Sequence, residues 1–426
     1  MPERGSYDPN LCASGSAVLA DDGTAMILYT AAEPQRQCIA RSVDPNLRWW
    51  RKDPANPILS EPPVPDFIRG GFRDTYLWRE GDTWHMIVGG GIRNVGGTAL
   101  HFRSKNLTDW TYTEPLAAGM GEHCIAWECP NFLPLEGGKA LLFVSPLFDN
   151  LTTGSAPRGD VVYTIGSYRG DGQFLPAAWN RIDMGGPNNF YATQAQKTPD
   201  GRWLLWGMNL GGGSPGHDWT THLSLPRVFT LRHDGLLGQE PPTELQKLRR
   251  AHWGETDKAL KGEHPLGIKS NTFEIVAEIE VGDAKAVGMD LRASDDFQTS
   301  SRIWLDVENA TLHADGHSDD FKLLEDEQNV LRLHAFVDRS VIEVFVNRRR
   351  CATIRAFRDI EAKAMRLFSR GGAARIRSVD VWEMRSIWQP PAETPVSAPS
   401  RDEAVPAHPG GFQYFVGVVG NPSVPD

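Results

Sequence analysis

Four times between Ser16 and Trp206 a short apolar run enters a polar turn and returns as a second, more strongly apolar run. The first pair is Ser16-Ala17-Val18-Leu19 and Met26-Ile27-Leu28-Tyr29, joined through Asp21-Asp22-Gly23. Thr75 to Trp78 and Trp84 to Val88, around Glu80-Gly81-Asp82, form the second, and Phe132 to Leu135 and Leu141 to Val144, around Glu136-Gly137-Gly138, the third. The fourth is Ala192 to Ala195 and Trp203 to Trp206, around Pro199-Asp200-Gly201. One glycine taken from each turn (Gly23, Gly81, Gly137, Gly201) gives spacings of 58, 56 and 64 residues. A third run follows every hairpin, at Cys38, Ala99, Val161 and His222, and a fourth follows at least three of them, at Trp49, Trp110 and Val228. Four antiparallel strands repeated at a near-constant period are what a β-propeller blade requires. Four unrelated hairpins would not share both turn chemistry and strand order.

In a propeller the first strand of each blade lines the central channel, so the starts of those strands converge. That rule gathers Ser14-Gly15, Arg73-Asp74, Glu128-Cys129 and Asn188-Asn189 around one axis. Two carboxylates, an arginine and amides make a polar pocket of sugar size. Glu128 lies between Trp127 and Cys129-Pro130. Removal from water favours the neutral form of a carboxyl group, and a carboxyl that keeps its proton near neutral pH can act as a general acid. Taken by itself, Trp-Glu-Cys reads as a solvated strand end; its convergence with Asp74 is what favours catalysis.

The remaining chain has a different texture. From Asn271 apolar Phe273, Ile275, Ala277, Ile279 and Val281 alternate with Glu274, Glu278 and Glu280, a half-buried strand. Five more such runs between Gly288 and Trp382 predict a β-sandwich. The expected organisation is therefore all-β: a propeller over residues 1–250, a linker at 251–268, a sandwich over 269–387 and a proline-rich, disordered tail at 388–426. A formal net charge of −10 argues against nucleic acid and anionic membrane as partners. No apolar run reaches the length of a membrane span. The five cysteines show no metal-site spacing and read as free thiols. Neither a metal nor an organic cofactor is indicated. Met1 to Gly5 is not a signal peptide, and cytoplasmic and secreted locations both stay open. Asn-x-Thr sequons at Asn106, Asn150 and Asn309 decide nothing without a secretory context.

Several separated motifs stand in order along the chain: Phe72-Arg73-Asp74, Trp127-Glu128-Cys129-Pro130, Asp183-Met184-Gly185 ahead of Phe190-Tyr191-Ala192, and Phe336-Val337-Asp338-Arg339-Ser340 leading into Glu343 to Asn347. As a set they resemble glycoside hydrolase family 32, the β-fructofuranosidases (invertases, levanases, inulinases and fructan exohydrolases). The likeness runs from about Leu11 to Met384. It implies a five-bladed propeller followed by a sandwich, and hydrolysis of sucrose or fructans with retention of configuration. By resemblance Glu128 is the acid/base and Asp74 the transition-state stabiliser. Arg73 and Cys129 support them, and Ser14 lines the fructose pocket.

Three departures qualify the likeness. The family's nucleophile is an aspartate in a Trp-(Met/Leu)-Asn-Asp-Pro-Asn-Gly motif opening the first blade, whereas this chain has Tyr7-Asp8-Pro9-Asn10-Leu11. Ser14 to Leu19 looks like the opening of the family's second blade, and four repeats stand where the family has five. The expectation is thus a chain lacking the nucleophile blade, with Asp8 as the alternative nucleophile. Thr75 replaces a proline that would restrict Asp74, and Asn131 replaces an aspartate beside Glu128. Two rival functions remain open: a catalytically silent carbohydrate-binding propeller, and inverting hydrolysis with Asp74 as the base.

Overall fold

The computed structural model describes all residues except 1, 4, 33, 69–70, 122, 149–159, 211–220, 358–360 and 389–426. The tail expected at 388–426 (past Trp388) and the sequon at Asn150 lie outside the described residues. The chain divides into two compact units, with the boundary between Asn180 and Arg181.

Three up-and-down sheets build the first unit. The first runs Leu11–Leu19, Ala25–Ala32, Arg36–Ser42, Trp50–Lys52, and the second Arg73–Glu80, Thr83–Ile92, Gly96–Ser104, Thr111–Met120. In the third, Cys124–Leu135, Lys139–Phe148, Val162–Tyr168 and Phe174–Leu175 follow in order, with Trp179–Arg181 also paired to Val162–Tyr168. Alternate residues of a strand point to opposite faces, and here both faces find partners. Met26, Leu28 and Ile39 of the first sheet pack with Leu77, Met86 and Val88 of the second. Tyr76, Trp78 and Ile87, on the second sheet's other face, pack with Phe132, Leu142 and Val144 of the third. Burial on both faces is why the second run of each hairpin is so uniformly apolar in sequence. The first sheet's remaining face carries Tyr29, Ala31, Cys38 and Ala40, packed with Tyr7, Cys12 and Trp50.

The second unit opens with the fourth sheet, ordered Tyr191–Lys197, Trp203–Asn209, Arg227–Leu231, Leu237–Glu240, with His222–Leu223 also beside Trp203–Asn209. The run at Val228 was expected to be the outer strand, but Leu237–Glu240 takes that place. His222–Leu223 and Arg227–Leu231 are two pieces of one strand position, interrupted at Pro226, which has no N–H to give to a ladder.

Two six-stranded sheets form the sandwich. One is ordered Arg249–Leu260, Ala374–Met384, Thr272–Glu280, Val330–Asp338, Val341–Val346, Arg350–Arg355, and the other Glu263–Pro265, Ala364–Arg370, Ala286–Ala293, Ser301–Asp306, Thr311–Ala314, His317–Asp320. Their inner faces share one apolar core that includes Ile275, Ile279, Val287, Met289, Ile303 and Leu333. The linker expected at 251–268 is not one. Arg249–Leu260 is an edge strand paired to Ala374–Met384, and Glu263–Pro265 pairs with Ala364–Arg370. The edge strand is mostly exposed and held by main-chain pairing, so it carries no apolar alternation for the sequence to display. No helix among the described residues is long and apolar enough to cross a membrane, and all five cysteines are free.

Within this unit the fourth sheet is fastened to the sandwich by a buried charged cluster. Arg227, fully enclosed, donates to Asp183 Oδ2 and Thr353 Oγ1 (both 2.7 Å) and to Gln239 Oε1 at 3.1 Å, and stacks 3.8 Å over the Phe190 ring. Glu343 accepts from the Leu225 N–H at 2.6 Å, and its other oxygen lies 3.5 Å from Arg227. Burial, opposed by Arg227, pushes the Glu343 carboxyl up to about 7. A carboxyl raised above its unfolded value contributes stability that is complete below about pH 4.5 and lost as pH rises through about 7. For Glu343→Gln, denaturant unfolding should therefore show a flatter stability profile across this window than the wild type, by about 3 kcal/mol. Parallel profiles would mean that Glu343 is ionised throughout.

Candidate active site

The innermost strand of each propeller-type sheet carries a β-bulge close to its start. In the first unit, register shifts at Ser14 (between Ala13 and Gly15), at Asp74 (between Arg73 and Thr75) and at Cys129-Pro130 (opposite Val144). In the second unit it shifts at Ala192-Thr193. A bulge sets an extra residue out of the ladder and re-aims its side chain. Asp74 at φ 64° and Cys129 at φ 46° occupy the left-handed region, which non-glycine residues adopt at a cost of roughly 1–3 kcal/mol where the surroundings over-determine them.

Those two bulges meet. The Cys129 N–H donates to Asp74 Oδ2 at 2.9 Å, and the Cys129 Sγ lies 3.5 Å from the same oxygen. Arg73 Nη2 donates to Glu128 Oε1 at 2.6 Å while its Nε stands 3.8 Å from Asp74 Oδ2. One guanidinium thus serves both carboxylates. Side-chain exposure grades across the group, from 7% at Asp74 to 14% at Glu128 and 16% at Arg73, so Glu128 keeps access to solvent while Asp74 is nearly enclosed. Burial pushes the Asp74 carboxyl above the ordinary aspartate value; the Glu128 charge adds to this, and the Cys129 N–H and Arg73 oppose it. Burial, followed by the two carboxylates, pushes the Cys129 thiol well up, so it stands beside them as a neutral donor. The buried Asn131 side chain donates to the Cys129 carbonyl at 2.9 Å and braces the second bulge.

The strand carrying Glu128 can reach the second sheet because that sheet presents glycine to it. A Cβ on Gly89 would collide with the Trp127 carbonyl, one on Gly91 with the Ile125 carbonyl, and one on Gly97 with the Trp127 ring. These glycines were visible in the sequence, but their role depends on a neighbouring sheet that no local pattern reveals.

Of the residues singled out in the sequence, the structure brings Arg73, Asp74, Glu128 and Cys129 together. Ser14 lies exposed on its own bulge and makes no hydrogen bond to either carboxylate among the described residues. Asn189 belongs to the second unit and accepts from Arg355 Nε at 2.9 Å. Asp8 is placed elsewhere. It is fully buried, with Oδ2 2.6 Å from Lys52 Nζ and accepting from the Tyr29 hydroxyl at 2.9 Å. Tyr29 and Thr30 are neighbours on one strand and point to opposite faces of the first sheet. Thr30 accepts from the Asp74 N–H at 3.0 Å, so the sheet itself stands between Asp8 and Asp74. Asp8 is held in a buried ion pair, on the face of the first sheet away from Asp74. Sequence reasoning also missed Thr30 and Gln37, since a buried Thr and Gln on a strand carry no motif.

An all-β chain whose propeller blades bring a glutamate and an aspartate around one arginine has the make-up of a glycosidase. Residues 1–241 match the model of the glycosyl hydrolases family 32 N-terminal domain, and residues 244–383 that of the family 32 C-terminal domain. The chain belongs to glycosyl hydrolases family 32 and is a glycosidase of the β-fructofuranosidase type. It is 28% identical to a sucrose-6-phosphate hydrolase of Zymomonas mobilis, over 89% of this chain and 79% of that enzyme. It is 31% identical to a levanase of Bacillus sp. (strain L7), over 85% of this chain and 43% of that protein. Its fold is similar to that of fructan 1-exohydrolase IIa from Cichorium intybus, with TM-score 0.76 at 22% identity, covering 89% of this chain and 85% of the other. Exo-inulinase from Aspergillus awamori is similar at TM-score 0.74 and 23% identity, covering 89% and 84%.

The close approach at Gly89 supplies a direct check on the site's foundation. Gly89→Ala should lower stability by roughly 1–3 kcal/mol in urea unfolding, the usual effect of overpacking. An unchanged midpoint would mean that the Trp127-Glu128 backbone does not rest on the second sheet.

Proposed function

We propose that the Arg73–Asp74–Glu128–Cys129 group removes a terminal β-fructosyl unit from sucrose or a fructan. What carries this reading is the meeting of Asp74 and Glu128, contributed by two different sheets, on one guanidinium. Relatives named as a sucrose-6-phosphate hydrolase and a levanase support the substrate class. Glu128, the more open of the two carboxyls, protonates the departing glycosidic oxygen and then takes a proton from the water whose oxygen becomes bonded to the fructosyl carbon. Asp74 Oδ1 accepts no hydrogen bond among the described residues, which leaves it for sugar hydroxyls as positive charge develops on the ring. Cys129 and Arg73 hold Oδ2, so the carboxylate is oriented before substrate arrives.

Retention also requires a carboxylate about 5–5.5 Å from the acid/base to form the glycosyl-enzyme bond. Asp8 does not provide it, and this placement is the observation that favours the second reading, a site that binds fructosides without cleaving them. The two separate experimentally. Calorimetry with sucrose and inulin oligomers beside a reducing-sugar assay should show binding together with turnover, and a retained anomer by NMR would require a nucleophilic carboxylate other than Asp8. Binding without turnover would establish the silent reading, and the inverted anomer would assign the base role to Asp74.

In the active chain Glu128→Gln should lower kcat by about 10²–10⁴-fold while sugar binding changes little. Asp74 must be ionised to stabilise positive charge, so the acid limb of kcat/KM should fall above the ordinary aspartate range, in keeping with its raised pKa. An acid limb at or below that range would exclude Asp74 as the group responsible.

A further inference from the structure

Both peptide groups flanking Arg73 are held by one pair of side chains from the first sheet. Thr30 Oγ1 accepts the Asp74 N–H at 3.0 Å and donates to Gln37 Oε1 at 2.9 Å. Gln37 Nε2 in turn donates to the Phe72 carbonyl at 2.8 Å. Thr30 and Gln37 lie directly opposite each other on paired strands and are completely buried. The Gln37 main chain is engaged too, its N–H donating to the Leu59 carbonyl and its carbonyl accepting from Ile58, both at 2.9 Å. The loop from Asp53 to Leu59 therefore backs the pair.

This arrangement explains how Asp74 keeps a left-handed backbone without being glycine. Its N–H stands out of the second sheet's own ladder because of the bulge, and a buried main-chain donor without a partner is expensive. Thr30 supplies that partner from the neighbouring sheet, and Gln37 fixes which way the Thr30 hydroxyl points, because Oε1 takes its proton. With the Phe72 carbonyl fastened to the same pair, the short segment that presents both Arg73 and Asp74 is located at each end.

We infer that Thr30 and Gln37 form a positioning clamp for the Arg73–Asp74 pair, acting on the reaction through Asp74 without touching substrate. The inference rests on the proposed role of Asp74 in transition-state stabilisation, and its structural half can be read without activity. Thr30→Val removes the acceptor with little change in shape, Thr30→Ser keeps it, and Gln37→Met removes the donor to Phe72. The expected result is faster hydrogen exchange at the Asp74 amide in Thr30→Val, together with a kcat lower by about tenfold to a hundredfold, the scale of a misplacement of about 1 Å. KM should change far less, and Thr30→Ser should restore both exchange and kcat. Gln37→Met should reproduce the loss, which keeps the inference testable if Thr30→Val does not fold. An Asp74 amide that exchanges as in the wild type would overturn the clamp, as would a fall in unfolding midpoint with kcat unchanged. If the wild-type chain binds no fructoside and turns none over while Asp74 exchange still responds to Thr30→Val, the clamp stands and the proposed function falls.

Discussion

Two carboxylates share a small pocket only when a cation stands with them, since each otherwise opposes the ionisation of the other. Arg73 meets that requirement, 2.6 Å from Glu128 and 3.8 Å from Asp74. Most other features of the first unit serve to put this one guanidinium between two groups that are 54 residues apart in the chain. The glycines of the second sheet let the Glu128 strand approach, the bulges turn Asp74 and Cys129 out of their ladders, and the first sheet secures the Arg73-Asp74 backbone. Remove the close approach of the sheets and the charges would separate into water, where neither has a task.

How much of this could be read beforehand depended on whether the signal was local. The hairpins were legible because turn glycines and apolar runs recur with strand order intact. Arg73, Asp74, Glu128 and Cys129 were legible because the repeat gives their positions a common meaning, the start of an innermost strand. The bulges escaped, since a break in alternation close to the start of a strand leaves too few residues before it for the change of phase to show. Arg249–Leu260 escaped for a different reason: an exposed edge strand is specified by its neighbour's main chain. Thr30 and Gln37 lay hidden because polar residues within an apolar strand gain meaning only when the facing sheet is known.

The motifs that carried the family likeness serve two separate purposes. Phe72-Arg73-Asp74 and Trp127-Glu128-Cys129-Pro130 build the candidate site. Asp183 and Glu343 surround Arg227, where the fourth sheet joins the sandwich. A charged cluster so deeply buried is weak evidence of net stabilisation, because desolvation offsets most of the attraction. Its effect is directional. An arginine that must satisfy Asp183, Thr353 and Gln239 together accepts one docking of sheet on sandwich, whereas apolar surfaces tolerate several. Family likeness at such positions is evidence for architecture and says nothing about chemistry.

Asp8 shows how strand alternation can decide a mechanistic question. Its sequence setting, Asp-Pro-Asn ahead of a strand, is close enough to a nucleophile motif to keep it in contention. Strand parity places it on the face away from Asp74. Tyr29 holds Asp8 and Thr30 holds Asp74, and adjacent residues of one strand cannot present to the same face. Moving Asp8 to the Glu128 side would mean shifting its support by one residue in register, which would turn Met26 and Leu28 out of the core they share with the second sheet. The apolar packing of the first sheet therefore keeps Asp8 on the face turned away from Asp74. Asp8, neutralised by Lys52 beneath Tyr7 and Cys12, secures the covering of the opposite face.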